Sequence, residues 1–558
     1  MGQHVIDKDS DAAELGFGHS PPRPWARLRR LLGSERRDIV GVCIFAFAVA
    51  VLSLATPIAV ESLVNTVSFG VLMWPVIMLA IVLLACLGLA GAIRAAQVYV
   101  IECLQRRLFV RVVADYARRL PQLRIESFDH RYGPELANRF FDVVNVQKSL
   151  ATLLLDGVAI IVSALVGMIV LAFYHPFLLG FDIALLILIA FLLFVLGWGG
   201  VRTSLHESHA KYDIAAWLEE LIRELRAFKF SGGSRLALDK ADHLASEFVA
   251  ARKSHFRVVW RQTVFAIAIQ VVASTVLLGL GGYLVIERQL TLGQLVASEL
   301  IVAYVVASVA KLGKYADTFY DLMAGAEKLG LLTDLPLERD NGDPMPVGAK
   351  PLALRVRGLV RDGREAEDWS LESGERVALV GPPGSGKTTF VELLCGLRDP
   401  ERGVVEVEGV DLRGLTLASF REQVALVGCG EVFAGTVIEN VRMGRSEVPI
   451  EDVWTALELV GLRNAIHSLP RGLNTPLTAT GSPLSTSQAV RLTLARALAL
   501  KPRLMILDGV LDAIDATESP DLIPKLFDRA APWSLLVVTD NPDIQARCDR
   551  RIVLAAAV

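Results

Sequence analysis

Between a run that reads as a β-strand (375–380) and one that reads as a helix (389–397) stand Gly381, Pro382, Pro383, Gly384, Ser385, Gly386, Lys387, Thr388 and Thr389. Strand, glycine-rich turn and helix in that order form a phosphate-binding loop. The glycines let backbone N–H groups wrap an anion, Lys387 sets a positive charge against terminal phosphates, and the Thr388 hydroxyl suits Mg²⁺. A bare glycine-rich turn is the plain alternative, and the strand and helix flanking it argue against that. A second acidic element fits the first. Leu504-Met505-Ile506-Leu507-Asp508 is an apolar run ending in a carboxylate, as a buried parallel strand needs if Asp508 is to face the Mg²⁺ shell. Just upstream come Leu484, Ser485, Thr486, Ser487 and Gln488, then a basic segment from Arg491 to Leu498.

These residues occupy only the last part of the chain. Of 558 residues 53% are hydrophobic and the mean hydropathy is +0.45, above the usual range of a soluble domain. Apolar runs long enough to cross a bilayer fall at 39–64, 71–90, 153–173, 177–198, 264–286 and 290–309. Six spans put both ends of this region on one side. Six arginines lie between Arg23 and Arg37 and nine basic residues between Arg106 and Lys148, whereas the three alternate loops hold only Arg288. By the positive-inside rule both termini are cytoplasmic. Residues 104–120 and 217–243 mix apolar and charged residues at helical spacing and read as helices continuing beyond the bilayer. Residues 334–350, rich in Pro, Gly and Asp, read as a linker. The expected division is a basic N-terminal segment (1–37), an all-α six-helix membrane domain (38–330), a linker (331–350) and an α/β nucleotide-binding domain (351–558).

A net charge of −3 gives no reason to expect a nucleic-acid partner. The partner implied by the spans is the lipid bilayer. Cys43, Cys86, Cys103, Cys395, Cys429 and Cys548 are scattered without a CxxC pair and read as reduced thiols. His206, Glu207 and His209 sit on a polar helical stretch with no further ligand, so no metal beyond Mg²⁺ is expected.

Taken together, the phosphate loop, the 484–498 segment, Asp508, the stretch from Gly435 to Val441, the run from Leu469 to Thr475 and the loop Asp512-Ala513-Ile514-Asp515 resemble the ATP-binding-cassette exporters. The likeness extends into the membrane half, where Gly133, Glu135 and Leu136, the segment from Glu224 to Phe230, and Leu292-Gly293-Gln294-Leu295 are similar to the family's coupling regions and sixth-helix entry. It covers about 36–554. The resemblance implies that ATP with Mg²⁺ binds at 381–389, that Thr388 and Asp508 hold the metal, and that two half-transporters pair. Each ATP would then lie between one chain's phosphate loop and the other's signature loop, here Leu484 to Gln488, with Asp515 in the dimer-contacting loop. Nucleotide-driven closure would turn the membrane cavity outward.

Departures from the family pattern concern catalysis. Where the family has a water-polarising glutamate this chain has Gly509, and where it has a histidine on the γ-phosphate this chain has Asp540. The glutamine expected between Val427 and Phe433 is replaced within Gly428, Cys429 and Gly430. Thr486 and Ser487 replace the signature glycines. No aromatic stands near 359–362 to stack on adenine; Arg361 is the candidate there, and Trp369 reads as core. The expectation is weak intrinsic hydrolysis, with a catalytically complete partner favoured and a homodimer also open. An active transporter using unconventional residues and a nucleotide-binding regulator or scaffold that does not transport remain alternatives. Within the spans, Glu299 near mid-membrane is the candidate for the transport path, with Asp182 and Arg94 less central. The cargo is not legible.

Overall fold

The structure, a computed structural model, describes residues 24–68, 73–129, 133, 138–230, 232–361, 364–365, 367–428, 430–514 and 520–554. Two compact units emerge, Met1–Leu123 with His130–Pro336, and Arg124–Asp129 with Leu337–Val558.

The first unit is helical. Among the described residues, six helices are long and apolar enough to cross a membrane, Pro24–Thr66, Trp74–Gln122, Arg139–Tyr174, Pro176–Arg223, Gly233–Ile286 and Leu292–Asp334. Their starts follow local chemistry. Thr291 and Gln294 form a reciprocal capping box at 3.1 and 3.0 Å, and Pro176 occupies the first turn, where its missing N–H costs nothing. Leu171, Leu178, Leu277, Leu284 and Val305 pack where the helices face one another. Leu84, Phe173 and Trp198 point outward, each more than 70% exposed. That outward apolar cover suits lipid, which cannot satisfy a bare backbone but accepts such side chains. The helix Gly233–Ile286 has 54 residues, roughly 80 Å at 1.5 Å per residue, against a hydrocarbon core of about 30 Å. Residues 104–120 indeed continue the second span without a break, in the helix Met73–Arg119.

Residues 217–243 do not form one helix as their pattern predicts. The helix Gly200–Arg223 ends at Glu224, a short helix Leu225–Lys229 follows, and the chain reverses at Gly232 with φ +68° before Gly233–Ile286 begins. Glycine alone adopts that left-handed turn without strain, and hydrophobic spacing does not register it. The fourth span is also interrupted, by a π-helical turn at Phe191–Val195 and by Gly199 at φ +84°. The sixth helix runs through Asp334, where Arg27 and Arg30 meet the Asp334 carboxylate at 2.7 and 3.1 Å.

The second unit is α/β. Its strands are β1 (Leu354–Arg361), β2 (Arg364–Glu365), β3 (Trp369–Leu371), β4 (Arg376–Val380), β5 (Arg402–Val407), β6 (Val410–Asp411), β7 (Val424–Val427), β8 (Gly435–Thr436), β9 (Pro476–Leu477), β10 (Leu504–Asp508), β11 (Ser534–Val538) and β12 (Arg550–Val553). The parallel sheet has the order β12-β4-β11-β10-β7. β4, β10 and β11 are almost wholly buried, as continuous apolar strands must be when both faces are covered. One face packs Phe390, Val391, Leu394 and Phe420, the other Val437, Leu457, Leu492 and Leu494. An antiparallel sheet, β2-β1-β5-β6 with β3 on β1, adjoins it. Trp369 is core, 9% exposed and 5.8 Å from the Phe390 ring.

Candidate functional site

In an open parallel sheet the carboxyl ends of the strands form the ligand crevice, and the residues singled out above gather there. β4 leads into the loop at Gly381, the helix begins at Lys387 rather than 389 and ends at Leu394, and β10 ends on Asp508. β11 runs between them and delivers Asp540 just past its end.

Within the loop, Gly384 and Gly386 hold φ +78° and +86°, turning successive N–H groups inward. Lys387 Nζ donates to the carbonyls of Gly381 and, at 3.3 Å, Pro382, so its charge sits in the mouth of the loop. Ser385 is 5% exposed and its hydroxyl oxygen has no hydrogen-bond partner among the described residues. A buried polar atom left alone costs about 1–3 kcal/mol, and a phosphate oxygen would satisfy it. The loop thus fits a triphosphate. Thr388 in the first helical turn and Asp508 at the end of β10 fit as Mg²⁺ ligands. Bound there, the metal supplies charge neutralisation to the phosphates. Thr389 belongs to the same helix.

Asp540 lies 3.8 Å from Lys387 Nζ. Its own N–H donates to Asp512 Oδ2 at 3.2 Å, and Thr539 Oγ1 bonds the other Asp512 oxygen, so the backbone beside the loop is fixed. Gly509 sits at φ +68° with open space where a Cβ would stand, and its N–H donates to the Val538 carbonyl at 3.1 Å. Room for a side chain exists; a suitable backbone conformation does not.

Glu431 was not singled out by sequence. Its carboxylate lies beside Gly428, whose added Cβ would come within 2.9 Å of Glu431 Oε1. Although the residue has an exposed outer side, burial around the carboxylate pushes its pKa up, against the pull of Arg496 and a Gly428 N–H, with the Asp508 charge pushing the same way as burial. Only the fold brings residues 428 and 431 to Asp508, and an unexplained acid just after the replaced 428–430 segment was the available signal. Cys429 and Asp515 lie outside the described residues, as do Glu135 and Leu136.

The signature segment caps a helix. Ser485 Oγ accepts from the Gln488 N–H at 3.2 Å, Gln488 Oε1 accepts from the Ser485 N–H at 2.9 Å, and the helix Thr486–Ala499 starts there. Thr486 is exposed in its first turn, Ser487 is half-buried and Leu484 is buried beneath. A helix N-terminus with N–H groups outward attracts an anion, and Thr486 crowds the approach that glycine leaves open.

The edge of the Arg361 guanidinium is engaged. It donates to the Asp399 carbonyl at 2.7 Å and pairs with Glu126 at 3.1 Å. Glu126 belongs to the short segment Arg124–Asp129 that joins the second unit. There Arg398 holds Asp129 by two hydrogen bonds of 2.6 Å and also reaches Glu392. The bond to Asp129 and then that to Glu392 hold the Arg398 guanidinium charged more firmly than usual, against its partial burial.

In the first unit, Glu299 is half-buried with Oε2 lacking a partner among the described residues, and Asp182 is 3% exposed with both carboxylate oxygens in the same state. Arg94 meets Asp156 at 3.0 Å. Glu207 is bound to Arg252 at 2.8 Å, and no metal-binding group of His, Cys, Asp and Glu occurs among the described residues.

Residues 39–309 match the family described as ABC transporter transmembrane region, and 365–511 the family described as ABC transporter. A Bacillus subtilis (strain 168) protein named "Uncharacterized ABC transporter ATP-binding protein YfiC" is 23% identical over 98% of this chain and 92% of its own. "Leukotoxin translocation ATP-binding protein LktB" of Mannheimia haemolytica is 25% identical over 93% of this chain and 74% of its own. A solved structure described as a bacterial Atm1-family ABC exporter with ATP bound superposes with a TM-score of 0.82 at 20% identity, covering 94% of both chains.

Proposed function

Because this chain belongs to the ABC transporters, an integral membrane protein whose work is ATP-driven transport, we propose that it is an exporter half whose own ATP site binds far better than it hydrolyses. Half-transporters of this kind pair, and the partner favoured here is a different, catalytically complete chain; two copies of this one are the alternative. The observation that carries the reading is the contrast within one crevice. The loop that holds phosphate is complete, with Lys387 seated and Ser385 awaiting a partner, whereas Gly509 offers no base and Asp540 sets a carboxylate beside the lysine.

ATP binds residues 381–389, and Thr388 with Asp508 holds Mg²⁺. The partner's phosphate loop faces this chain's Ser485 and Gln488 past Thr486, so the two sites of a mixed dimer are unequal, and turnover belongs to the site built on the partner's phosphate loop. Both termini face the cytoplasm, as the basic residues before the first span and between the second and third require. Asp182 and Glu299 flank the transport path, because buried carboxylates in spans belong beside polar cargo or a watered cavity. Arg94, paired with Asp156, belongs at its margin.

The test compares ATP hydrolysis in lipid by this chain alone, by a candidate partner alone and by both together, with Lys387→Ala as control. The expected result is a lone chain slower than an intact relative by about two to four powers of ten, the usual contribution of a positioned base. Brisk hydrolysis by the lone chain, lost in Lys387→Ala, overturns the proposal.

A further inference from the structure

The family's glutamine on the metal side of the nucleotide site is replaced within Gly428, Cys429 and Gly430, and the Glu431 side chain lies against Gly428. A Cβ built on Gly428 would meet Glu431 Oε1 at 2.9 Å and Glu431 Cδ at 3.7 Å, so the Glu431 side chain folds back over the Gly428 backbone. The sheet register says what lies next to it. Val427 pairs with Leu507 in the parallel β7–β10 ladder, which puts Gly428 one residue further on, at the same carboxyl edge as Asp508. The charges of both Asp508 and Arg496 reach the Glu431 carboxylate.

The segment carrying Glu431 is held rigidly. Arg496 donates to the Glu431 carbonyl at 2.9 Å and to the Asn440 carbonyl at 2.7 Å. Asn440, fully buried, accepts from the Phe433 N–H at 3.1 Å and donates to the Phe433 carbonyl at 3.0 Å. A carboxylate fixed from behind in this way does not wander with its loop. Arg496 thus holds residue 431 by its main-chain oxygen and also bears on the carboxylate through its charge.

We infer that Glu431 presents to the Mg²⁺ shell, beside Asp508, the side-chain oxygen that the replaced glutamine does not supply. It is a positioning residue acting through the metal. Two carboxylates next to a polyphosphate repel it unless a divalent cation lies between them, so the residue makes ATP binding more dependent on Mg²⁺ than Asp508 alone would. The inference rests on the nucleotide-site reading above, and its test separates the two.

With the full chain in lipid, Mn²⁺ binding in the presence of ATP is followed by electron paramagnetic resonance, and ATP binding is followed with and without a chelator. Wild type is compared with Glu431→Gln, Glu431→Ala and Asp508→Asn. Glu431→Gln keeps the size and hydrogen-bonding capacity of the side chain and removes only its charge. Expected is a loss of about tenfold in Mn²⁺ affinity for both Glu431 variants, the scale on which metal-supporting residues act, with metal-free ATP bound as tightly as in wild type or more so. Unchanged Mn²⁺ affinity in both Glu431 variants, alongside a loss in Asp508→Asn, overturns the role of Glu431 and leaves the site standing. Weakened metal-free ATP binding in Glu431→Gln also overturns it, since that marks a structural role. If Asp508→Asn retains wild-type Mn²⁺ affinity, the site reading falls and the inference with it.

Discussion

Replacing Asp540 with asparagine removes the carboxylate that faces the Lys387 ammonium at 3.8 Å while keeping the backbone N–H that Asp512 accepts. Two unit charges at that distance attract by about 1 kcal/mol at the dielectric of water. The Asp540 side chain is 70% exposed, which places the pair among surface salt bridges worth about 0–1 kcal/mol. An incoming phosphate competes for the same ammonium and is also repelled by the carboxylate, so both effects oppose nucleotide in the wild type. Asp540→Asn is therefore expected to tighten MgATP binding by up to about fivefold at low ionic strength, with the gain shrinking as salt rises. Calorimetric titration of the full chain in lipid at two salt concentrations measures it, with Lys387→Ala as the non-binding reference. Hydrolysis should not recover, because Gly509 still supplies no base. Affinity that is unchanged or weaker at low salt refutes the reasoning, as does a gain that grows with salt.

Lys387→Ala should abolish thermal stabilisation by MgATP, and equal stabilisation of mutant and wild type would show that the 381–389 loop is not the occupied site. Gly509→Glu alone should leave the lone chain's ATP hydrolysis within about tenfold of wild type, since a side chain at φ +68° costs about 1–2 kcal/mol and Asp540 still stands beside Lys387; recovery to the rate of an intact relative would refute this. Arg398→Ala removes two charge-assisted hydrogen bonds to Asp129, so amide exchange over 124–129 should quicken by about tenfold or more, which mass-spectrometric hydrogen exchange reads directly. A cysteine placed at 299 should react with water-soluble thiol reagents in at least one nucleotide state, and protection in every state removes Glu299 from the proposed path.

Much of the molecule was legible because its signals are local. Apolar runs of bilayer length marked all six membrane-crossing helices, and a strand, a glycine-rich turn and a helix in sequence marked the phosphate loop to within two residues of its helix start. The apolar run into Asp508 forms the buried strand expected of it. What local pattern missed was where continuity fails: 217–243 keeps helical spacing through a reversal that depends on Gly232. The contacts of Arg361 with Glu126 and the Asp399 carbonyl could not be read from the sequence either, since they join positions far apart along the chain.

The sequence by itself determined the membrane helices and the strand, turn and helix of the glycine-rich loop, because composition, periodicity and residue type are properties of short windows, and the family resemblance marked Gly509 and Asp540 as replacements. Tertiary structure decided what those replacements meet. Asp540 faces Lys387 because β11, last of the three in sequence, is inserted between β4 and β10. Glu431 meets Gly428 at the edge where Asp508 ends, with its main-chain oxygen held by Arg496. Asp129 finds Arg398 across 269 positions of sequence. The approach of Asp540 to Lys387, and of Gly428 to Asp508, exists only once strand order and register have fixed which ends share an edge.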